Sequence, residues 1–272
     1  MTIAVSACII CKNEADKIRV CLDSLDWCSD IVVVDSGSTD ATVQLARQHP
    51  ARPRVIHQDW LGYGPQREFA VQSCVNPWVL ALDADEECSP KLARDIQNIS
   101  ENAAARIAMF RMPRKNFVAG RLVRCWSPDY QDRLIHRNRV EWDATSLPEQ
   151  RRPKPEFQTA ELGGNILHNR LTPYRESDFN DGLIMAERAA LLASQMAASG
   201  KQATTFKMLF RPVFTFLKYY LLRGAFLQGR FGLAIAYKTT IGVMLKYSVL
   251  YAQQNLGPRD DLRESKKSGN KG

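Results

Sequence analysis

The chain has 272 residues, of which 45% are hydrophobic and 24% charged, with a formal net charge of +8. That length allows one large domain or one domain with an appendage, and it suffices to bury a real core. A disordered chain, a collagen-like repeat and a disulfide-stapled miniprotein are excluded.

The first hundred residues alternate strand and helix. Ile3–Ile10 is an apolar run of strand length, and Glu14 to Leu25 has helical spacing, with Ile18, Cys21, Leu22 and Leu25 on one face. Ile31–Val34 is β-branched throughout, as expected of a strand buried on both faces. Thr39 or Asp40 can cap a helix running to Gln48, Val55–His57 is a third strand, and Pro65 opens a helix running to Cys74. Trp78–Leu82 is a fourth strand, and Ser89-Pro90 opens a further helix. Repeated βα units predict an α/β fold with a mainly parallel central sheet, whose ligands bind beyond the carboxyl ends of the strands. From Arg106 to His168 the pattern changes to short strands, at Ile107–Met112, Phe117–Val123, Tyr130–His136 and Phe157–Leu167. Residues 172–200 return to helical spacing, 204–256 read as two or three amphipathic helices broken near Gly224 and Gly229, and the polar tail from Pro258 reads as disordered.

The charge is unevenly spread. No Asp or Glu occurs between Arg188 and Arg259, and residues 201–250 carry eight Lys or Arg. Lys207, Arg211 and Lys218 fall within about 40° of one another on a helix, with Phe210, Phe214 and Leu217 on other faces. A basic face beside an aromatic-aliphatic one predicts a helix lying in an anionic membrane surface. The same helices would also serve as a packed appendage or a dimer interface. Because the charge sits on amphipathic helices, a nucleic-acid partner is not expected. No segment reaches the roughly 18 uncharged apolar residues needed to span a bilayer, and no signal peptide is evident. The seven cysteines are odd in number and mostly in apolar contexts, which predicts reduced, buried thiols in a cytosolic compartment. Cys8-x-x-Cys11 lies within a strand-like run, so a metal knuckle is not expected there.

Three stretches carry chemistry. Val34-Asp35-Ser36-Gly37-Ser38-Thr39-Asp40 sits where a buried strand gives way to a helix. The Asp35 carboxylate can accept from a base N–H or a ribose hydroxyl, though the stretch would also serve as an ordinary capped turn. Leu80-Ala81-Leu82-Asp83-Ala84-Asp85-Glu86 runs a buried strand straight into acids. If that strand stays extended, Asp83 and Asp85 point the same way, and a cation such as Mg²⁺ or Mn²⁺ would relieve their repulsion while bridging a diphosphate. In Trp60-Leu61-Gly62-Tyr63-Gly64-Pro65-Gln66-Arg67, the arginine lies in the first turn of a helix and could meet that diphosphate, or could simply be solvated.

With Ile9-Ile10-Cys11-Lys12-Asn13-Glu14 before them, these stretches resemble family 2 glycosyltransferases, in the same order along the chain. The subtype resembles the lipopolysaccharide-core β-glucosyltransferases, most specifically over residues 3–100 and again in Arg-Gly-Ala-Phe-Leu-Gln-Gly-Arg-Phe-Gly-Leu near the C-terminus. The resemblance implies a GT-A fold, a UDP-sugar donor such as UDP-glucose, Mg²⁺ or Mn²⁺, and inversion at the anomeric carbon. It implies that Glu14, Asp35, Arg67 and Asp83 serve the donor, with Asp35 on the uridine and Asp83 on the ribose or donor sugar. Asp85 would ligate the metal, or stand as a solvated acid, and His168 at a strand end would complete the metal site, or be a structural or solvent-facing histidine. An inverting transfer needs a base for the acceptor hydroxyl. By position Glu149 is the first choice and Asp143 the second, although similar proteins carry His before the acid where this chain has Leu147-Pro148-Glu149. Arg133 resembles a position near the acceptor, or is a strand arginine paired with Asp132 or Asp129.

The expected organisation is a catalytic domain over 1–200, with donor and acceptor halves meeting near 105, a membrane-associating segment over 201–257 and a tail over 258–272. The expected reaction is hexose transfer to a lipid-linked lipopolysaccharide core sugar at the cytoplasmic face of the bacterial inner membrane. A polyprenyl phosphate or capsule oligosaccharide acceptor, or an inactive membrane-bound nucleotide-binding module, are the alternatives.

Overall fold

The structure, a computed structural model, describes residues 1–143, 150–169 and 179–256. The chain divides into two compact units, Met1–Thr172 and Pro173–Gly272.

In the first unit the elements run β1 (Val5–Cys11), α1 (Ile18–Asp23), β2 (Asp30–Asp35), α2 (Thr42–Arg47), β3 (Arg54–His57), α3 (Tyr63–Gln72), β4 (Trp78–Asp83) and β5 (Glu86–Cys88). They continue with α4 (Pro90–Gln97), α5 (Glu101–Ala104), β6 (Ile107–Val118), β7 (Arg121–Leu122), β8 (Asp129–His136), β9 (Val140–Asp143), β10 (Gln150–Pro153), β11 (Gln158–Glu161) and β12 (Ile166–Asn169). The main sheet has the order β3-β2-β1-β4-β8-β6-β12-β5, with β7 and β11 also on β6; β9 and β10 form a separate pair.

Strands β1 to β4 pair in parallel because a helix crosses over between each and the next. Their side chains alternate between two cores. Ala7, Ile9, Val33, Leu80 and Leu82 pack with Leu22 of α1 and Leu92 and Ile96 of α4. Cys8, Val32, Val34, Val79 and Ala81 pack with Ala70, Val71 and Cys74 on the other face. The alternation also sends Cys8 and Cys11 to opposite faces of β1. None of the seven cysteines is in a disulfide, and six are buried; burial pushes the Cys88 thiol up to about 12.

Beyond β4 the sheet is mixed, which corrects the expectation of a mainly parallel one. β8 runs antiparallel to both β4 and β6, and β12 runs parallel to β6 but antiparallel to β5. Only β7 and a single 3-10 turn at Arg124–Trp126 separate β6 from β8, with no long crossover helix, so the chain returns beside itself in the opposite sense. β6 is one 12-residue strand, where the sequence suggested two. Pro113 is accommodated because β11 pairs with β6 only as far as Arg111 and β12 begins at Arg114, leaving that edge unpaired at the proline. Phe157–Leu167, expected as one strand, is split into β11 and β12 by Gly163-Gly164. A Cβ on Gly164 would lie 2.3 Å from Leu92 Cα, so only glycine lets this turn meet the start of α4.

The second unit holds α6 (Phe179–Ala198), α7 (Thr205–Leu217), a single π-helical segment over Lys218–Leu222, and α8 (Gly229–Asn255). α6 falls in this second unit with the basic helices. Ala193, Ala203, Tyr247 and Leu250 form its buried centre. Phe206, Leu209, Phe210, Val213, Phe214 and Leu217 recur at helical spacing along α7, and all are exposed. No helix among the described residues is long and apolar enough to cross a membrane.

Candidate active site

The carboxyl ends of β1, β2 and β3 are tied into one rim. Asp35, the last residue of β2, is 4% exposed, and its carboxylate accepts from the Gly37 and Ser38 N–H groups, each at 3.0 Å, and from the Ser38 hydroxyl. It therefore shapes its own turn, and His57 Nδ1 lies 3.9 Å from the same Oδ2 that accepts from the two N–H groups. Asn13 N–H donates to Ser38 Oγ at 2.8 Å, and Thr39 N–H donates to Asn13 Oδ1 at 2.8 Å. Glu14 N–H donates to Thr42 Oγ1 at 2.7 Å, while the Glu14 carboxylate pairs with Lys17 at 2.8 Å. Burial, aided by the fields of Asp85 and Asp40, raises the Glu14 carboxyl above its ordinary range despite Lys17. Gln66, fully buried at the start of α3, donates to Ser36 Oγ at 2.9 Å and to Gln58 O at 3.2 Å, and its Oε1 accepts from Leu61 N–H. The glycine-bearing loop before α3 is thus fastened to the turn after β2.

At the end of β4 the backbone turns at Ala84 and Asp85 and re-enters the sheet as β5. Asp83 and Asp85 therefore do not sit on one extended strand. Asp83 is gripped by Arg67 from α3 and by Arg133 Nη2 from β8 at 2.8 Å. Burial alone would raise the Asp83 carboxyl, but the two guanidinium groups hold it far below the usual carboxylate range. Arg67 thus faces a carboxylate, where the sequence suggested a diphosphate or solvent. Arg133 pairs with neither Asp132 nor Asp129. Its second partner is Glu86 at 2.9 Å, and Asp132 is taken by Arg111.

Glu86, wholly buried, is the hub of this chain of charges. It accepts the Asp83 N–H at 3.0 Å, Arg133, and Arg114 Nη1 at 2.7 Å; Arg114 in turn holds Asp129 at 2.6 Å. Sequence reasoning passed over Arg114, gave Glu86 no role of its own and offered Asp129 only as a partner for Arg133. The available signal was parity: Arg114 and Asn116, two apart on β6, share a face, and Asp129 lies opposite Arg114 in register.

Asp85 and His168, 83 positions apart in the chain, are brought together. His168 Nε2 lies 3.1 Å from Asp85 Oδ2, and His168 Nδ1 lies 2.8 Å from Asn116 Oδ1. Burial acts to raise the Asp85 carboxyl, but the hydrogen bond and charge of His168 outweigh it, so it stays below the usual range. Carboxylate oxygen and imidazole nitrogen are a donor set that suits Mg²⁺ or Mn²⁺, with diphosphate oxygens and water completing the shell. Among the described residues no group of three or more such side chains is placed to hold an ion. Glu149 lies outside the described residues. Asp143 ends β9 opposite Gln150, and the description stops at its backbone.

Parallel strands feeding a turn-rich rim, next to antiparallel strands, make a fold resembling the GT-A-like nucleotide-sugar-binding class. The mannosyltransferase PcManGT from Pyrobaculum calidifontis, solved in complex with GDP-Man and Mn²⁺, superposes with a TM-score of 0.52 at 16% identity, covering 95% of this chain and 88% of that one. Residues 6–165 match the family model for glycosyl transferase family 2, and the chain belongs to that family. It is a glycosyltransferase. It is 29% identical over 269 residues, 96% of each chain, to the lipopolysaccharide core biosynthesis glycosyltransferase LpsC of Rhizobium meliloti. An uncharacterized glycosyltransferase of Rickettsia felis is 47% identical over 96 residues, 35% of this chain and 33% of that one.

Proposed function

We propose that the protein transfers a hexose, glucose in the first instance, from a UDP-sugar to a sugar of the lipopolysaccharide core, with inversion and with Mg²⁺ or Mn²⁺. The observation that carries this reading is the approach of His168 Nε2 to Asp85 Oδ2 at the carboxyl edge of the sheet. The full-length similarity to the LpsC glycosyltransferase supports the acceptor class.

In this reading Asp85 and His168 hold the cation, which supplies positive charge to the departing diphosphate. Asp35, with its turn, sets the pocket for the uridine, and Glu14 closes the rim beside it. A carboxylate offers about four lone-pair positions, so Asp83 keeps acceptors for the ribose or donor-sugar hydroxyls after serving its arginines. Arg67 acts on the donor through Asp83, by fixing where that carboxylate points. Glu149 takes the proton of the attacking hydroxyl as it leaves, and Asp143 is the second choice for this base.

The acceptor is lipid-linked and is met at the cytoplasmic face of the inner membrane, on which the enzyme is peripheral. The exposed apolar stripe of α7, flanked by Lys207, Arg211 and Lys218, supports an anionic membrane surface as partner. The test of the donor site is calorimetric titration with UDP, with and without Mn²⁺, on the wild type and Asp85→Ala. Metal-dependent binding that the substitution abolishes is expected. Absence of UDP binding by the folded wild type under both conditions overturns the reading.

A further inference from the structure

Helices α7 and α8 pack as a hairpin, with the Phe216 and Tyr237 rings 5.2 Å apart, and the turn that joins them is apolar where surface turns are ordinarily polar. It runs from the π-helical segment Lys218–Leu222 through Gly224 into a 3-10 turn over Ala225–Gln228. Leu222 is 81% exposed and Leu227 66%, and Leu221 and Phe226 are exposed as well. The turn that carries them is firmly closed. Ala225 is fully buried, and a Cβ on Gly232, in the first turn of α8, would lie 1.8 Å from Ala225 O, so only glycine lets the turn fold onto the helix. Its backbone is bonded within itself. Arg223 N–H donates to Lys218 O at 2.8 Å, Gly224 N–H to Leu221 O at 3.1 Å, and Leu227 N–H to Gly224 O at 3.1 Å. Those peptide groups can leave water without losing a partner, which is the condition hydrocarbon imposes on any backbone that enters it.

We infer that this turn is the point at which the protein enters an anionic bilayer, with Leu222 and Leu227 reaching the acyl chains. The inference rests on the reading of the basic helices as facing an anionic membrane, and adds to it a depth and an orientation. The α7–α8 hairpin goes in by its tip, and the apolar stripe of α7 rises from there through the headgroups instead of lying at one level. The charges around the tip fit this occupant. Lys218, Arg223 and Arg230 flank the leucines, and the chain from Arg188 to Arg259 supplies no acid to balance them. Anionic headgroups supply that balance, and the long basic stems let the charges stay among them while the leucines lie deeper. Tyr219 and Tyr220 belong to the same segment, with the Arg223 guanidinium 6.0 Å from the Tyr219 ring centre. Rings with one polar end are suited to the headgroup level. A second copy of the chain suits the tip poorly, because symmetric pairing would bring the same basic side chains together with no acid between them.

The experiment uses the full chain with one tryptophan added at a time. All five native tryptophans lie at or before Trp142, so the added emission reports on the second unit. Leu222→Trp, Leu227→Trp and, at the far end of α7, Phe206→Trp are mixed with vesicles of phosphatidylethanolamine and phosphatidylglycerol. The acyl chains of these lipids carry bromine either near the headgroup or near the middle of the bilayer. The emission added at 222 and 227 is expected to shift to the blue and to be quenched more by the deep bromines than that added at 206. Equal quenching at all three positions, or none at 222 and 227 while the protein sediments with the vesicles, overturns the tip insertion and leaves the membrane reading standing. A wild type that does not bind such vesicles removes the membrane reading and the inference with it, so the two failures are distinct. Leu222→Glu with Leu227→Glu changes two exposed side chains, and its circular dichroism and thermal midpoint are expected to match wild type. Its vesicle binding is expected to weaken about tenfold or more, as the loss of two buried leucines requires. Unchanged binding overturns the inference. So does a blue shift at 222 that grows with protein concentration in the absence of lipid, together with a dimer in ultracentrifugation, which would assign the tip to a second copy.

Discussion

Glu86 Oε1 accepts from Arg133 Nη2 at 2.9 Å at a site where the glutamate side chain has no solvent exposure. The same oxygen accepts from Arg114 at 2.7 Å, so one buried carboxylate balances two guanidinium groups that converge from neighbouring strands. Glu86→Gln leaves both arginines without their shared counter-charge. Removing one partner of a buried ion pair costs about 3–5 kcal/mol. The expected result in urea denaturation is a loss of that size with an unchanged m-value, while Glu161→Gln, an exposed acid at the end of β11, stays within about 0.5 kcal/mol of wild type.

Gly164 gives a second stability prediction, of steric rather than electrostatic origin. Gly164→Ala places a methyl against the Leu92 backbone, where neither side can yield without moving α4 or β12. Overpacking of this kind costs about 1–3 kcal/mol. The thermal midpoint of Gly164→Ala should fall accordingly, and Gly163→Ala, whose nearest neighbour is the flexible end of Lys91 at 3.2 Å, should fall less.

The acid dependence of stability should separate into two windows. Burial, with the charges of Arg139 and Arg137, lowers His136 to about 4. The unfolded chain therefore binds that proton from about pH 6.5 downward while the folded chain does not, so stability declines as pH falls from about 6.5 toward 4. Asp83 and Asp129 are held below their ordinary range, against the effect of their burial, by Arg133 with Arg67 and by Arg114. Their contribution is fully present above about pH 4 and is lost as pH drops further, when the unfolded carboxylates protonate first. Urea midpoints measured from pH 8 to 3 should show His136→Gln flattening the upper window only and Asp83→Asn flattening the lower one only.

Membrane docking by α7 should be separable into an apolar and an electrostatic part. Phe210 and Phe214 are 54% and 59% exposed, so Phe210→Glu with Phe214→Glu leaves folding intact and should abolish co-sedimentation with vesicles rich in anionic lipid. Lys207→Gln or Arg211→Gln should each weaken binding about fivefold at low salt, in line with roughly 1 kcal/mol per basic residue near an anionic surface. Neutral vesicles should not distinguish these two substitutions from wild type. Equal binding of all variants to anionic vesicles would exclude α7 as the docking element.

The parts of the site that the sequence discloses are those whose partners are close along the chain. Asp35 and the Gly37 and Ser38 groups that shape its turn lie within three residues, and the strands before them read as buried because they are apolar on both faces. The ion-pair chain was not legible in the same way. Which acid Arg133 meets depends on which strand lies beside β8, and spacing along β8 offered only Asp129 and Asp132. Register settles it: Leu80 stands opposite Leu134, and this brings Arg133 beside Asp83. The turn at Ala84 and Asp85 was hidden for a related reason, since β5 exists only because β12 is there to pair with it. His168 was found by resemblance, and its contact with Asp85 needed the structure.

Strand β6 has one consequence for how such an enzyme can diversify. The same twelve residues border β11 at one end and carry Arg114 and Asn116 at the other. A single inserted residue between Arg111 and Arg114 would turn both side chains to the opposite face and strip Glu86, Asp129 and His168 of their supports at once. A strand that carries the supports of three separate groups on one face thus tolerates exchange of a side chain more readily than a shift of its spacing.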